Sequence, residues 1–158
     1  MKIIGSIILI FFALQVHAQR LKTTFTKDLT QWRFDGMSIR TTFSNDIYNW
    51  NFDDTRIKTV FSKDFTKWQI GNNTQLNVVF WGDLSQWEIS GFGKTIRIQT
   101  TFVDDFERWQ ISGDVDGTIR TVFANDPEQW EINLDDEPEE EIIKAIVMLP
   151  IIIANFTK

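Results

Sequence analysis

The sequence predicts an all-β protein: an antiparallel β-meander of six two-stranded repeats, arranged as an open sheet or a barrel, with one C-terminal helix. Three observations lead there. A pattern F-x-x-D-x-x-x-W-x-[IF] occurs six times between residues 25 and 132, side chains alternate with period two on either side of it, and after Ile132 the composition turns to acids and then to an apolar run. A parallel β-solenoid is the alternative, since its coils are of similar length and also stack like residues in ladders.

The first element is a processing segment. Lys2, the apolar run from Ile3 to Leu14 and the small-residue pattern Val16-His17-Ala18 make residues 1–18 an expected secretory signal peptide. The run is shorter than the roughly 20 residues of a spanning helix, and no cysteine follows it for lipid attachment. Export from a bacterium to the periplasm, the cell surface or the medium is therefore expected. Loss of Lys2 lowers the formal charge from −6 to −7, and so acidic a chain repels phosphate backbones, so nucleic acid is not an expected partner.

The only histidine is His17 and cysteine is absent. Serine-histidine triads, thiol nucleophiles and the usual zinc sites drop out, so no enzyme activity, metal or other cofactor is expected. Carboxylate chemistry at the doubled acid Asp104-Asp105 is the residual enzymatic alternative.

Residues 19–134 form the repeat domain. The units carry Phe25, Asp28 and Trp32; Phe43, Asp46 and Trp50; Phe61, Asp64 and Trp68; Phe80, Asp83 and Trp87; Phe102, Asp105 and Trp109; and Phe123, Asp126 and Trp130, at spacings of 18 to 22 residues. These are structural positions. Ahead of each phenylalanine run segments such as Ile39-Arg40-Thr41-Thr42-Phe43, whose alternation places Ile39, Thr41 and Phe43 on one face. Trp50 and Phe52 are expected on the same apolar face of the following strand. Burying an aromatic ring removes roughly 150–250 Å² from water, about 4–6 kcal/mol before entropy is subtracted. Without disulfides, twelve such rings are expected to dominate stability. The Thr or Val at positions 41, 59, 78, 100 and 121 leaves room for a neighbouring indole.

The aspartate has a local explanation. Asp126-Pro127-Glu128 reads as a helix start, so each D-x-x-x-W is expected to be one helical turn whose carboxylate accepts backbone N–H bonds. A row of calcium sites is the rival, but one acid per unit falls far short of the six to eight oxygens calcium takes. The other connections, Asp35-Gly36, Asp53-Asp54, and the segments 71–74, 90–94 and 112–117, have hairpin-turn chemistry. Gly91 to Thr95 resembles the end of a phosphate-binding loop, yet Glu88 stands where its first glycine belongs.

Residues 135–158 form an acidic linker and a C-terminal apolar helix packed on the β domain. The helix is expected from about Pro138, kinked or ended near Pro150, lying on the open apolar face of a sheet or plugging a barrel. Membrane contact of this tail is the lesser alternative. In aromatic content the units are similar to MORN and WG-type repeats, but the glycine-rich MORN spacing is missing and the one Trp-Gly is Trp81-Gly82.

The function expected is that of a secreted, non-enzymatic repeat protein acting as a structural or protein-interaction module. A carbohydrate or small-ligand module using exposed aromatics is the alternative. Trp81 breaks its own repeat, following Phe80 where other units have small residues, and with Phe92 it is the ligand-binding candidate. Outward Lys22, Arg40, Lys58 and Arg120 are expected to form a solvated face, with a stripe for an anionic ligand as the lesser alternative.

Overall fold

A computed structural model describes residues 18–157; apart from Ala18, the expected signal peptide lies outside the described residues. Twelve strands follow in order: β1 (Gln19–Thr23), β2 (Gln31–Phe34), β3 (Met37–Thr41), β4 (Asn49–Phe52), β5 (Thr55–Thr59), β6 (Lys67–Ile70), β7 (Thr74–Phe80), β8 (Asp83–Gly91), β9 (Lys94–Thr100), β10 (Arg108–Gly113), β11 (Gly117–Thr121) and β12 (Gln129–Leu134). Each pairs antiparallel with its sequence neighbours. The meander closes because β1 pairs with β12, setting Leu21 opposite Trp130 and Arg20 opposite Glu131. Closure leaves no unpaired edge strand, the liability of an open meander.

Period-two alternation decides what the wall presents to each side. Inward positions carry mainly Trp, Ile, Leu and Phe, most of them buried, while outward positions carry Arg, Lys, Gln, Asn, Ser and Thr with Glu88 and Glu131. That is the reverse of a lipid-facing barrel, whose outward band is apolar. The register also explains the small residues: Thr41 lies opposite Trp50, Thr59 opposite Trp68, Val78 opposite Trp87, Thr100 opposite Trp109 and Thr121 opposite Trp130. Each indole therefore overlies a short neighbour on its own face.

A helix fills the lumen. Helix α1 (Glu140–Phe156) is buried at every residue from Lys144 to Ala154, three turns covered around the full circumference, while the outer wall of the barrel remains open to solvent. Only the barrel interior can cover a helix on all sides. Twelve strands about 4.8 Å apart, tilted by about 40°, enclose a space roughly 24 Å across between backbones. A helix with its side chains takes about 10–12 Å, which leaves about 6 Å on each side for the wall's own side chains. Large inward rings plus a helix match that space.

Two features of α1 differ from the sequence expectation. It begins at Glu140, two residues after Pro138, and of the two expectations at Pro150, a kink or an end, the end does not hold, because the helix continues through it. Burial on all sides offsets the hydrogen bond that proline removes. Near its start Lys144, itself buried, has its Nζ 2.6 Å from Thr55 Oγ1, 2.6 Å from Glu140 and 3.5 Å from Asp54, above the Phe52 ring. The exposed carboxylates at the mouth of the barrel neutralise the one buried cation among the described residues.

The six repeat phenylalanines are not core residues. Phe25, Phe43, Phe61, Phe80, Phe102 and Phe123 are 57–65% exposed, whereas the six repeat tryptophans are at most 2% exposed. In most units alternation stops where the strand stops, at Thr41 for instance, and Phe43 is the first residue of a turn that swings it outside. The core holds eight fully buried rings, the six tryptophans with Phe34 and Phe52, and the helix supplies further volume.

Candidate functional site: an aromatic rim

In an antiparallel meander alternate connections fall at the same end, so the six F-x-x-D-x-x-x-W loops all open on one rim of the barrel. The loops are nearly one structure repeated. The aspartate N–H bonds back to the phenylalanine carbonyl at 3.1–3.2 Å in five of them. The residue before the aspartate takes a positive φ in all six: Lys27, Asn45, Lys63, Gly82, Asp104 and Asn125. The aspartate carboxylate then accepts the N–H two residues on, as Asp46 does from Tyr48 at 3.1 Å and Asp126 from Glu128 at 2.9 Å. This is a side-chain turn, so the capping bond is present but the expected helical turn is not.

The tryptophan closes the loop from inside. In every unit its indole N–H donates to the carbonyl of the residue after the aspartate, from Trp68 to Phe65 at 2.6 Å through Trp109 to Phe106 at 2.9 Å. Phenylalanine would fill the core but leave that carbonyl unpaired, which is why the position is tryptophan. The helix C-terminus arrives at the same rim. Asn155 Nδ2 donates to Leu29 O at 3.1 Å, and the Phe156 ring stacks on Phe65 at 4.5 Å.

Hydroxyl bonds from Thr30 and Ser85 hold the Asp28 and Asp83 carboxyls below their ordinary value of 3.8, with the backbone N–H of the same residues helping. A depressed carboxyl stabilises the fold above its unfolded pKa and loses that contribution as pH falls through the folded value. Thermal stability is therefore expected to drop on acidification below about pH 4. In the Asp28→Asn/Asp83→Asn variant that drop should be shallower, as read from melting curves across the acid range.

With the loops built this way, their phenylalanines form a crown. None of the six stacks on another described aromatic ring; the one aromatic-face contact is the Arg108 guanidinium over Phe102 at 5.8 Å. Trp81, 93% exposed, and Val103, 91% exposed, stand on the same rim. Between the β7–β8 and β9–β10 loops lies an open cleft of about 670 Å³, lined by Ser85, Gln86, Gln99, Phe102 and Asp104 among others. Asp105 accepts the Glu107 N–H and lies 3.7 Å from Arg108, so one half of the Asp104-Asp105 pair is engaged by its own loop. Among the described residues no three His, Cys, Asp or Glu side chains converge as a metal site would require.

Phe92 does not join Trp81. It lies in the turn between β8 and β9, at the opposite end of nine-residue β8, about 30 Å away at roughly 3.3 Å per residue. The two side chains cannot line one ligand surface. Phe92 sits at φ 54° beside Gly93 at φ 73°, the first central position of a hairpin turn that favours Asn or Gly. Phe92→Asn is expected to raise stability by about 1 kcal/mol, seen as a higher urea midpoint with unchanged slope.

Extending strand alternation past the strand ends hides the phenylalanine crown from a reading of the sequence. The signal is present all the same. Lys, Asn, Gly or Asp two residues after each phenylalanine includes the residue types that tolerate positive φ and places each phenylalanine at the start of a turn.

The protein is thus a twelve-stranded, helix-filled repeat barrel that presents an aromatic crown at one end. The chain matches no protein-family model, no curated protein and no solved structure.

Proposed function

We propose that the protein is an exported, non-enzymatic interaction module that binds a protein partner through its aromatic rim. One observation carries this reading: six phenylalanines recur at one end of the barrel, each more than half exposed, while the core draws its rings from other positions. Exposed aromatic side chains held by rigid loops are the residues from which interface hot spots are made. The signal-peptide pattern supports export, and a chain with neither histidine nor cysteine after residue 18 supports a role in binding over one in catalysis.

Placing a photo-crosslinking phenylalanine analogue at Phe43 or Phe123 in the producing cell tests the reading. One discrete protein adduct is expected from these positions and none from Thr118 on the wall, and Phe25→Ser/Phe61→Ser should abolish it.

Trp81 and the cleft beside it favour a second reading, a glycan-binding rim. Trp81 is the one exposed indole among seven, so a saturable change in tryptophan fluorescence with an oligosaccharide, lost in Trp81→Ala, reports on it alone. That change without any protein adduct would replace the protein-partner reading by the glycan one.

A further inference from the structure

The net negative charge conceals a segregated surface. Strands β1 to β6, half of the barrel wall, contain no Asp or Glu at all. Their outward positions carry Arg20, Lys22, Arg33, Arg40, Arg56, Lys58 and Lys67, all exposed except the half-buried Lys67. Arg20 faces Glu131 across the β1–β12 seam without reaching ion-pair distance, and among the described residues none of the other six makes an ion pair. On the remaining strands Arg97, Arg108 and Arg120 are instead paired with Glu88, Asp105 and Glu131.

The placement concentrates the charge. Lys22 lies directly opposite Arg33 across β1 and β2, an arrangement of like charges that costs stability unless an anion joins them. Arg40, Asn51 and Arg56 form one cross-strand row, so the two guanidinium-bearing positions lie about 10 Å apart. In the next row Lys58 is flanked by Asn49 and Gln69. Arg56, Lys58 and Gln69 also line a hollow of about 370 Å³, bounded on its tight-turn side by Asp54 and Glu141.

We infer that this wall binds an anionic polysaccharide, a linear chain of sugar rings bearing carboxylates or sulfates. Unpaired cations supply the attraction, and the Asn51 amide between Arg40 and Arg56, with the side-chain oxygens of Gln31 and Asn49 whose NH2 groups donate to Asp28 and Asp46, suits sugar hydroxyls. The cations span six of twelve strands on a convex surface, which a flexible polymer can follow and a flat bilayer cannot. No outward aromatic stands on β1 to β6, so the stacking platforms of single-stranded nucleic acid binders are absent from this wall. The inference does not depend on the aromatic rim.

Fluorescence anisotropy with labelled polygalacturonate and labelled dextran sulfate, and uncharged dextran as control, provides the test. Binding to at least one polyanion and not to dextran is expected, weakening roughly tenfold or more as NaCl rises from about 50 to about 200 mM, by analogy with counterion release from nucleic acids. Arg33→Gln/Arg40→Gln/Lys58→Gln, checked for an unchanged melting curve, should lose about tenfold or more by removing three of those ionic contacts. Arg97→Gln/Arg108→Gln on the other side should change affinity less than about threefold, since exposed paired charges contribute little. The inference is overturned if neither polyanion binds, if the two variants lose equally, or if anionic phospholipid vesicles or DNA bind more tightly than both polymers.

Discussion

Ending the chain after Asp136 is expected to abolish cooperative unfolding. The barrel then retains its strands but loses the eleven consecutive residues, Lys144 to Ala154, that the lumen buries on every side. Fully burying one large aliphatic side chain contributes roughly 1.5–3 kcal/mol, and the segment holds three isoleucines after Pro150 besides Ile146, Val147, Met148 and Leu149. Seven such residues contribute on the order of 10–20 kcal/mol before entropy, which meets or exceeds the whole stability of an ordinary domain. The void left is too wide for the remaining side chains to close. The truncated chain should bind a hydrophobic dye and melt without a transition; a sharp two-state melt near that of the full protein would show that the barrel stands without its helix. Leu149→Ala is the milder version, with about 2–5 kcal/mol lost.

The second large effect separates the two aromatic positions of each repeat. Trp68→Ala is expected to cost about 3–5 kcal/mol, because it empties a fully buried site and orphans the Phe65 carbonyl. Trp68→Phe retains most of the volume and isolates the indole bond, at about 1–3 kcal/mol. Phe61→Ala in the same loop should stay within about 0.5 kcal/mol, since its ring is 59% exposed. Urea midpoints of the three variants decide the matter. A loss at Phe61 comparable to that at Trp68 would mean that the crown supports the fold, and it would remove the reason for treating the rim as a contact surface.

Much of this architecture is legible in the repeat itself. Asp28, Asp46 and their equivalents act within their own loops, so their hydrogen-bonding role follows from sequence spacing alone. The inward placement of Trp50 and Phe52 follows from alternation in a strand only four residues long. The small residues opposite the indoles are readable too, because register across a short repeat is nearly forced. Two features resist the same reasoning. Alternation does not carry across the end of β3 into Phe43, because the turn there resets which face a side chain takes. The apolar run after Glu141 suits a sheet face and a barrel plug alike when only its composition is weighed; its lack of a polar stripe is what favours the plug, since such a helix has no solvent-facing side to offer.

Local features need nothing beyond the order of residues: twelve strands, the bond each aspartate makes within its own loop, and an inside and an outside for the wall. Whatever depends on distant parts meeting comes from the folded whole. Closure rests on β1 finding β12, over a hundred residues away, and on a lumen whose width suits one helix and the rings around it. The two candidate surfaces are of the same kind. Six phenylalanines spread over about a hundred residues become one crown, and six unpaired cations become one wall, only when the ring of strands is complete.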